Sequence, residues 1–125
     1  MDTLTAICHC GAVRIETSRP PRTLTDCNCS ICRRYGALWA YYQVGEAQVA
    51  AESGALEGYE WGDRSLRFFR CARCGCVTHW LPTQPVPGAK MGVNARNFAP
   101  GALPALPVRR LDGASTWTYL DEPSA

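Results

Sequence analysis

The cysteines of this chain constrain its fold more than any other feature of the sequence. Eight cysteines occur among 125 residues, in the three short groups "CHCG", "CNCSIC" and "CARCGC". Closely spaced cysteines in a reducing compartment hold metal more often than they form disulfides. An even number of cysteines also fits a disulfide scaffold, but the ordinary complement of aliphatic and aromatic residues does not need such staples. Metal binding is therefore the preferred interpretation.

The first and third groups together offer four sulfur ligands for one tetrahedral zinc ion. In a C-x-C pair on a strand both side chains point to the same face, because side chains repeat every two residues. In the C-x-x-C-G pair, Gly75 permits the positive φ of a tight turn. The pattern predicts a closed, structural site made of Cys8, Cys10, Cys71 and Cys74. In an alternative partition, the central group takes a ligand from either outer pair.

The central group supplies three cysteines and leaves one zinc ligand unaccounted for. Three protein ligands with an open fourth position are typical of catalytic zinc. The open position can take water or a substrate thiolate, since zinc binds sulfur well. This interpretation assigns a catalytic zinc to Cys27, Cys29 and Cys32.

Three other residues offer a closed, purely structural version of the central site. Cys76, His79 or His9 would each supply a fourth ligand. A lone buried cysteine is more often a small hydrophobic residue, which is the preferred interpretation of Cys76. We expect His79 to be a packed or surface imidazole, and His9 to face solvent between two ligands.

Length and charge limit the class of protein. A chain of 125 residues with a formal net charge of +2 has the size of one domain, so we expect a single domain over residues 1–125. Acidic and basic residues are mixed, and no basic arm indicates a nucleic-acid partner. No apolar run is long enough to span a membrane, and "MDTLTAICHC" does not look like a signal peptide. We expect a soluble, cytoplasmic protein.

Hydrophobic periodicity predicts an all-β fold. Apolar and polar residues alternate over residues 12–18, and residues 37–44 are rich in aromatic and β-branched side chains. Residues 64–71 and 76–83 flank a Cys-Gly turn like two arms of a hairpin. The stretches "TLTDCNC", "KMGVNARN" and "STWTYLD" predict further strands, and helix is limited to about one turn near "ICRRYG". We therefore expect two β-sheets packed on each other.

The order of these motifs resembles a known family. C-x-C-G, then C-x-C-x-x-C-R, then C-x-x-C-G, followed by "GVNARNF" and "PVRRLDGASTW", is similar to the glutathione-dependent formaldehyde-activating enzyme family, also called the centromere protein V family. The resemblance implies a β-tent of two antiparallel sheets and two zinc ions per chain. It implies the same division of ligands, with the structural zinc on Cys8, Cys10, Cys71 and Cys74 and the catalytic zinc on Cys27, Cys29 and Cys32. Cys76 is not among the family's ligands.

The resemblance also implies an activity. Members of the family are named for condensing glutathione with formaldehyde to S-hydroxymethylglutathione, a carbon–sulfur lyase reaction run in reverse. The expected partners are therefore a small thiol such as glutathione and a small aldehyde. Arg33 and Tyr35 are candidate substrate-binding residues, and Arg34, Arg70 and Arg73 also lie beside cysteines, where guanidinium groups offset thiolate charge or bind carboxylates. Surface solubility explains any one of these arginines equally well.

Two other functions remain open from the sequence. The first is a zinc-stabilised β-tent that binds another macromolecule without catalysis. In that case the aromatic residues Trp39, Tyr41, Tyr42 and Trp61 would be contact residues on an exposed surface. The second is a different reaction at the same zinc.

Overall fold

The structure is a computed structural model that describes residues 3–121. Those residues form ten strands: β1 (Leu4–Ile7), β2 (Val13–Thr17), β3 (Leu24–Cys27), β4 (Trp39–Gln43), β5 (Ala47–Ala51), β6 (Leu56–Tyr59), β7 (Leu66–Cys71), β8 (Val77–Pro82), β9 (Lys90–Asn94) and β10 (Val108–Leu111). One helical turn, α1 (Cys32–Tyr35), follows β3, and one 3-10 turn (Ala95–Asn97) follows β9. The all-β prediction is confirmed.

The strands form two sheets of unequal size. The small sheet has three strands in the order β1-β2-β5, and the large sheet has seven in the order β10-β3-β4-β9-β8-β7-β6. Pairing is antiparallel throughout, except that β10 runs parallel to β3 and places Leu111 opposite Cys27. Because parallel neighbours end at the same edge of a sheet, the segments that follow β3 and β10 lie side by side.

The two faces of β4 divide the interior of the protein. Ala40 and Tyr42 point toward the small sheet, where they pack in a core that includes Ile15 of β2. Trp39 and Tyr41 point to the opposite face, into a second cluster with the central cysteines. Because successive side chains of a strand point to opposite faces, the five residues of β4 contribute both to the packing between the sheets and to the cluster around the central cysteines.

The prediction of a strand at "STWTYLD" is wrong. Residues 113–118 form a turn instead, and only Tyr119 makes an isolated bridge, to Leu111. The Asp112 carbonyl accepts a hydrogen bond from the Trp117 amide at 2.7 Å, and its carboxylate accepts one from the Thr116 hydroxyl at 3.0 Å. Such local bonds compete with a β-ladder, so an alternating sequence does not become a strand here.

Among the described residues, no helix has the length and apolar character needed to cross a membrane.

Candidate metal centres and the adjoining cavity

Four cysteines from the two halves of the chain meet in what we call the outer cluster: Cys8, Cys10, Cys71 and Cys74. Their sulfur atoms all lie within 4.8 Å of one another. The Sγ atom of Cys10 is 3.8 Å from that of Cys8 and 3.5 Å from that of Cys71. Ligands about 2.3 Å from one zinc ion would lie about 3.8 Å apart at the corners of a tetrahedron. The donor set therefore fits a zinc ion, and the cluster could hold one.

Turns present three of the four outer sulfurs, and the fourth, that of Cys71, lies at the end of β7. Cys8 and Cys10 lie in the turn between β1 and β2, not on a strand as the C-x-C spacing suggested, and the Gly11 amide donates to the Cys8 carbonyl at 3.0 Å. In the β7–β8 turn, Gly75 has a φ of +79°, and its amide donates to the Cys71 carbonyl at 2.8 Å. The two turns bind the small sheet to the large one through the cluster.

Backbone amides around the outer cluster favour thiolates. The Val13 amide donates to Cys8 Sγ at 3.3 Å, and the Arg73 amide donates to Cys71 Sγ at 3.4 Å. A hydrogen bond from the Cys74 amide is the largest cause of the lowered pKa of the Cys71 thiol. Four thiolates this close repel one another, so full deprotonation requires a cation among them.

The second group, which we call the central triad, consists of Cys27, Cys29 and Cys32. Its three sulfur atoms lie within 4.8 Å of one another, and all three side chains are buried. Cys27 ends β3 and Cys32 begins α1, with Cys29 in the turn between them. The Cys29 amide donates to Cys27 Sγ at 3.5 Å, and the Cys32 amide donates to Cys29 Sγ at 3.4 Å. The sequence-predicted triad is thus assembled by one turn of chain.

The triad distributes negative charge unevenly. Hydrogen bonding from the Cys32 thiol lowers the pKa of Cys27 to about 6, and the same contact raises the pKa of Cys32. The indole N–H of Trp39 donates to Cys32 Sγ at 3.3 Å. This donor set of soft, partly ionised sulfurs fits a zinc ion, so the triad could hold one as well.

A turn late in the chain covers one side of the triad. This segment, residues 112–118, is called the tail turn below. A Cβ atom added to Gly113 would lie only 2.6 Å from Cys27 Sγ, so the glycine permits the close approach. The side chain of Asn28 holds the turn in place. Its Nδ2 atom donates to Asp112 Oδ1 at 3.1 Å, and its Oδ1 atom accepts from the Ala114 backbone amide at 2.9 Å. The parallel pairing of β3 with β10 brings these two segments together.

A cavity of 390 Å³ opens beside the triad, and Cys29 and Cys32 form part of its wall. We call it the aromatic cavity. Its other walls are mostly apolar: Ile31, Trp39, Tyr41, Trp61, Gly62, Asp63, Ser65, Leu66, Phe68, Trp80 and Trp117. The volume is within the usual range of small-molecule sites. The spacing of the cysteines did not predict this cavity, because most of its wall comes from β4, β7, β8, the loop between β6 and β7, and the tail turn.

The candidate substrate residues lie outside the aromatic cavity. Tyr35 lines a neighbouring cavity of 440 Å³, and Arg34 rather than Arg33 lines it with Arg70. The rings of Tyr35 and Phe68 pack with their centroids 5.8 Å apart. The other arginines beside the cysteines have carboxylate partners. Arg70 pairs with Glu57 at 3.1 Å, and Arg73 pairs with Glu52.

Cys76 and the two histidines belong to neither cluster, although Cys76 packs against the outer cluster beside Cys74. Cys76 is half-buried, and with the exposed His9 it lines a different cavity. His79 is buried in the large sheet, where its Nδ1 atom is 2.8 Å from the Thr78 hydroxyl and its ring stacks on Phe69. Burial lowers the pKa of His79 to about 4, so the imidazole is neutral at pH 7.

The fold and the two clusters define a class: a two-sheet β protein with two cysteine centres able to hold metal. Over residues 3–103 the sequence matches the family described as glutathione-dependent formaldehyde-activating enzyme. The chain belongs to this family, as its cysteine motifs predicted. A crystal structure of a Rhodobacter sphaeroides protein, a structural genomics target, is 30% identical and superposes with a TM-score of 0.68. The match covers 84% of this chain and 99% of that one.

Proposed function

We propose that this protein is a zinc-dependent carbon–sulfur lyase of the cytoplasm that catalyses the reversible addition of a thiol to a small aldehyde. The single observation that carries the proposal is the position of the central triad. Three buried sulfurs converge at the wall of a cavity large enough for a small molecule, and two of them line it. The family's name supplies the starting pair of substrates, glutathione and formaldehyde.

The proposed reaction balances without an oxidant or a reductant. The thiol sulfur forms a bond to the aldehyde carbon, the carbon–oxygen π bond breaks, and the thiol proton ends on the new hydroxyl oxygen. A thiol is a weak nucleophile at neutral pH because most of it is protonated. Cys27, Cys29 and Cys32 would hold a zinc ion that would lower the pKa of a coordinating thiol and so supply thiolate at pH 7.

The chain's own residues prepare the site for this chemistry. Cys27, Cys29 and Cys32 would hold the catalytic zinc, and the cavity on one side leaves room for a substrate sulfur. Trp39 restrains Cys32 through its indole N–H, which fixes the direction of that sulfur. Phe68 is buried against Trp39 and Tyr35, and it helps to exclude water from the part of the cavity wall that it forms. We assign Cys8, Cys10, Cys71 and Cys74 to a structural zinc, since their turns join the two sheets.

A catalytically silent binding module has weaker support. Trp39 and Tyr42 are buried, and Tyr41 is half-buried against Trp80, so these three rings are not available to a macromolecular partner. Of the four candidate contact residues, Trp61 alone is exposed, and it stands at the rim of the aromatic cavity.

The experiment is NMR exchange spectroscopy on an equilibrated mixture of glutathione and formaldehyde. Zinc-loaded protein at catalytic concentration should speed exchange between the free thiol and its hydroxymethyl adduct. The Cys29→Ser variant should return the rate to the uncatalysed value, because it removes a ligand of the triad. Cys76→Ser is the matched control, since it removes a thiol that packs beside the outer cluster but is a member of neither cluster, and it should keep the full rate. No acceleration with either glutathione or benzyl mercaptan, by protein shown to hold two zinc ions, would contradict the proposal.

A further inference from the structure

All four tryptophans of the chain line one cavity. The sequence contains four, and each of them is part of the wall of the aromatic cavity: Trp39, Trp61, Trp80 and Trp117. Tyr41 and Phe68 add two more rings, and the rings of Tyr41 and Trp80 meet edge to face at 6.2 Å. Aromatic walls favour aromatic ligands, because offset and edge-to-face ring pairs add stabilisation beyond the area they bury.

Two of these tryptophans stand at the mouth, on turns with unusual backbone geometry. Trp61 is 41% exposed and Trp117 is 67% exposed. In the described part of the chain, the non-glycine residues with positive φ are Arg64, at 59°, and Trp117, at 58°. The Arg64 amide closes its turn on the Trp61 carbonyl at 3.0 Å. Left-handed backbone is costly for bulky residues and clusters at functional sites, so its occurrence beside both mouth tryptophans points to a ligand there.

The charges of the cavity do not suit glutathione. Among its lining residues, all of which the structure describes, the charged side chain other than the cysteines is the acidic Asp63. Arg34 and Arg70 line the neighbouring cavity instead. Glutathione carries two carboxylates and one ammonium group at neutral pH, for a net negative charge. The wall of this cavity is mostly aromatic and carries one acidic side chain, so it contains no cation with which the carboxylates of glutathione could pair.

We infer that the aromatic cavity binds thiols that carry an uncharged aromatic ring, or the aldehyde adducts of such thiols, in preference to glutathione. The ring lies among the tryptophans, and the sulfur reaches the wall formed by Cys29 and Cys32. This inference rests on the proposed function, because it names the substrate class of the same site. The covalent step is unchanged: the sulfur–carbon bond forms as the carbon–oxygen π bond breaks, and the thiol proton ends on the hydroxyl oxygen.

The test compares binding of three probes to zinc-loaded protein by tryptophan fluorescence and by saturation-transfer NMR. Benzyl mercaptan carries both the ring and the sulfur, benzyl alcohol carries the ring without sulfur, and glutathione carries the sulfur without a ring. Benzyl mercaptan should bind at least about tenfold more tightly than glutathione, a difference that corresponds to ~1.4 kcal/mol. Benzyl alcohol should also bind, because ring recognition does not require the sulfur.

Trp117→Gly separates the loss of a cavity wall from a loss of stability. Glycine accepts the φ of 58° without strain, so this variant should keep its melting temperature while benzyl alcohol binding, measured by NMR, weakens by about fivefold. Leu120→Gly is the control. It removes an exposed apolar side chain just beyond the tail turn, at a residue that does not line the cavity, and it should leave binding unchanged.

The outcomes distinguish this inference from the proposed function. Binding of both benzyl probes without any catalysis of thiol exchange would support the aromatic site and contradict the proposed reaction. Catalysis with glutathione bound as tightly as benzyl mercaptan would support the reaction and overturn the aromatic inference. Failure of benzyl alcohol to bind, or an unchanged affinity in Trp117→Gly, would also overturn it.

Discussion

Single residues around the central triad combine structural and chemical roles. Trp39 is 1% exposed, lines the aromatic cavity and donates its indole N–H to Cys32. The three cysteine groups were predictable from their short spacings, and the meeting of the two outer pairs was predictable because neither pair alone completes a tetrahedral zinc site. The role of Trp39 was not, because its contact with Cys32 depends on the path of the chain from α1 into β4.

Trp39→Phe tests the hydrogen bond to the triad. The variant keeps an aromatic ring but removes the donor, and hydrogen bonds to charged groups contribute about 1.5–3 kcal/mol. Zinc affinity at the triad should therefore fall roughly tenfold or more, measured by competition with a chelating dye. Trp80→Phe is the control, since it makes the same change in the same cavity at a ring that packs against Gly92. Equal zinc affinity in the two variants would refute a special role for Trp39.

At the scale of elements, the central strands were predictable and the edge strands were not. The interior strands β2, β3, β4, β7, β8 and β9 all fall within stretches that alternate or are rich in aromatic residues. The four strands that the pattern missed, β1, β5, β6 and β10, are the edges of the two sheets. These edge strands are only four or five residues long and largely unburied, so hydrophobic periodicity gives them a weak signal.

The pairing of β8 with β9 fixes one wall of the cavity. Trp80 lies opposite Gly92, and a Cβ atom added to Gly92 would come within 2.2 Å of the Trp80 indole nitrogen. Gly92→Ala should destabilise the protein by about 1–3 kcal/mol in chemical denaturation and shift the fluorescence of Trp80, because a buried ring has no room to move. Gly58→Ala is the control. Its Cβ atom would meet the flexible Arg67 side chain, so its cost should be distinctly smaller.

At the scale of the whole molecule, the two clusters have different positions in the fold. The outer cluster joins turns from the small and large sheets, and Cys71 within it is 0% exposed. The central triad lies on one face of the large sheet and is built from one local segment. Sequence spacing predicted the two groups, but it did not reveal the cavity beside the triad, since cavity walls depend on tertiary packing.

Cys71→Ser and Cys29→Ser test the division of the two centres. Zinc binding at a structural site contributes directly to folding free energy, so Cys71→Ser should unfold or aggregate the protein. Cys29→Ser should remain folded by circular dichroism and contain about one zinc ion per chain by mass spectrometry, against two for the unaltered protein. Equal loss of structure in both variants would show that the assignment of structural and catalytic centres is wrong.

The tail turn lies outside the stretch of chain that supplies the metal ligands. The segment that matches the family, residues 3–103, contains all seven clustered cysteines, whereas Gly113 and Trp117 follow it. Trp117, on one side of the cavity mouth, therefore lies outside the stretch that supplies the metal ligands, whereas Trp61, on the other side, lies within it. Substitutions at Trp117 would therefore change one side of the cavity mouth without replacing a cysteine of either cluster. The ligands that this cavity admits can thus be altered at the tail turn separately from the metals that the cysteines could hold.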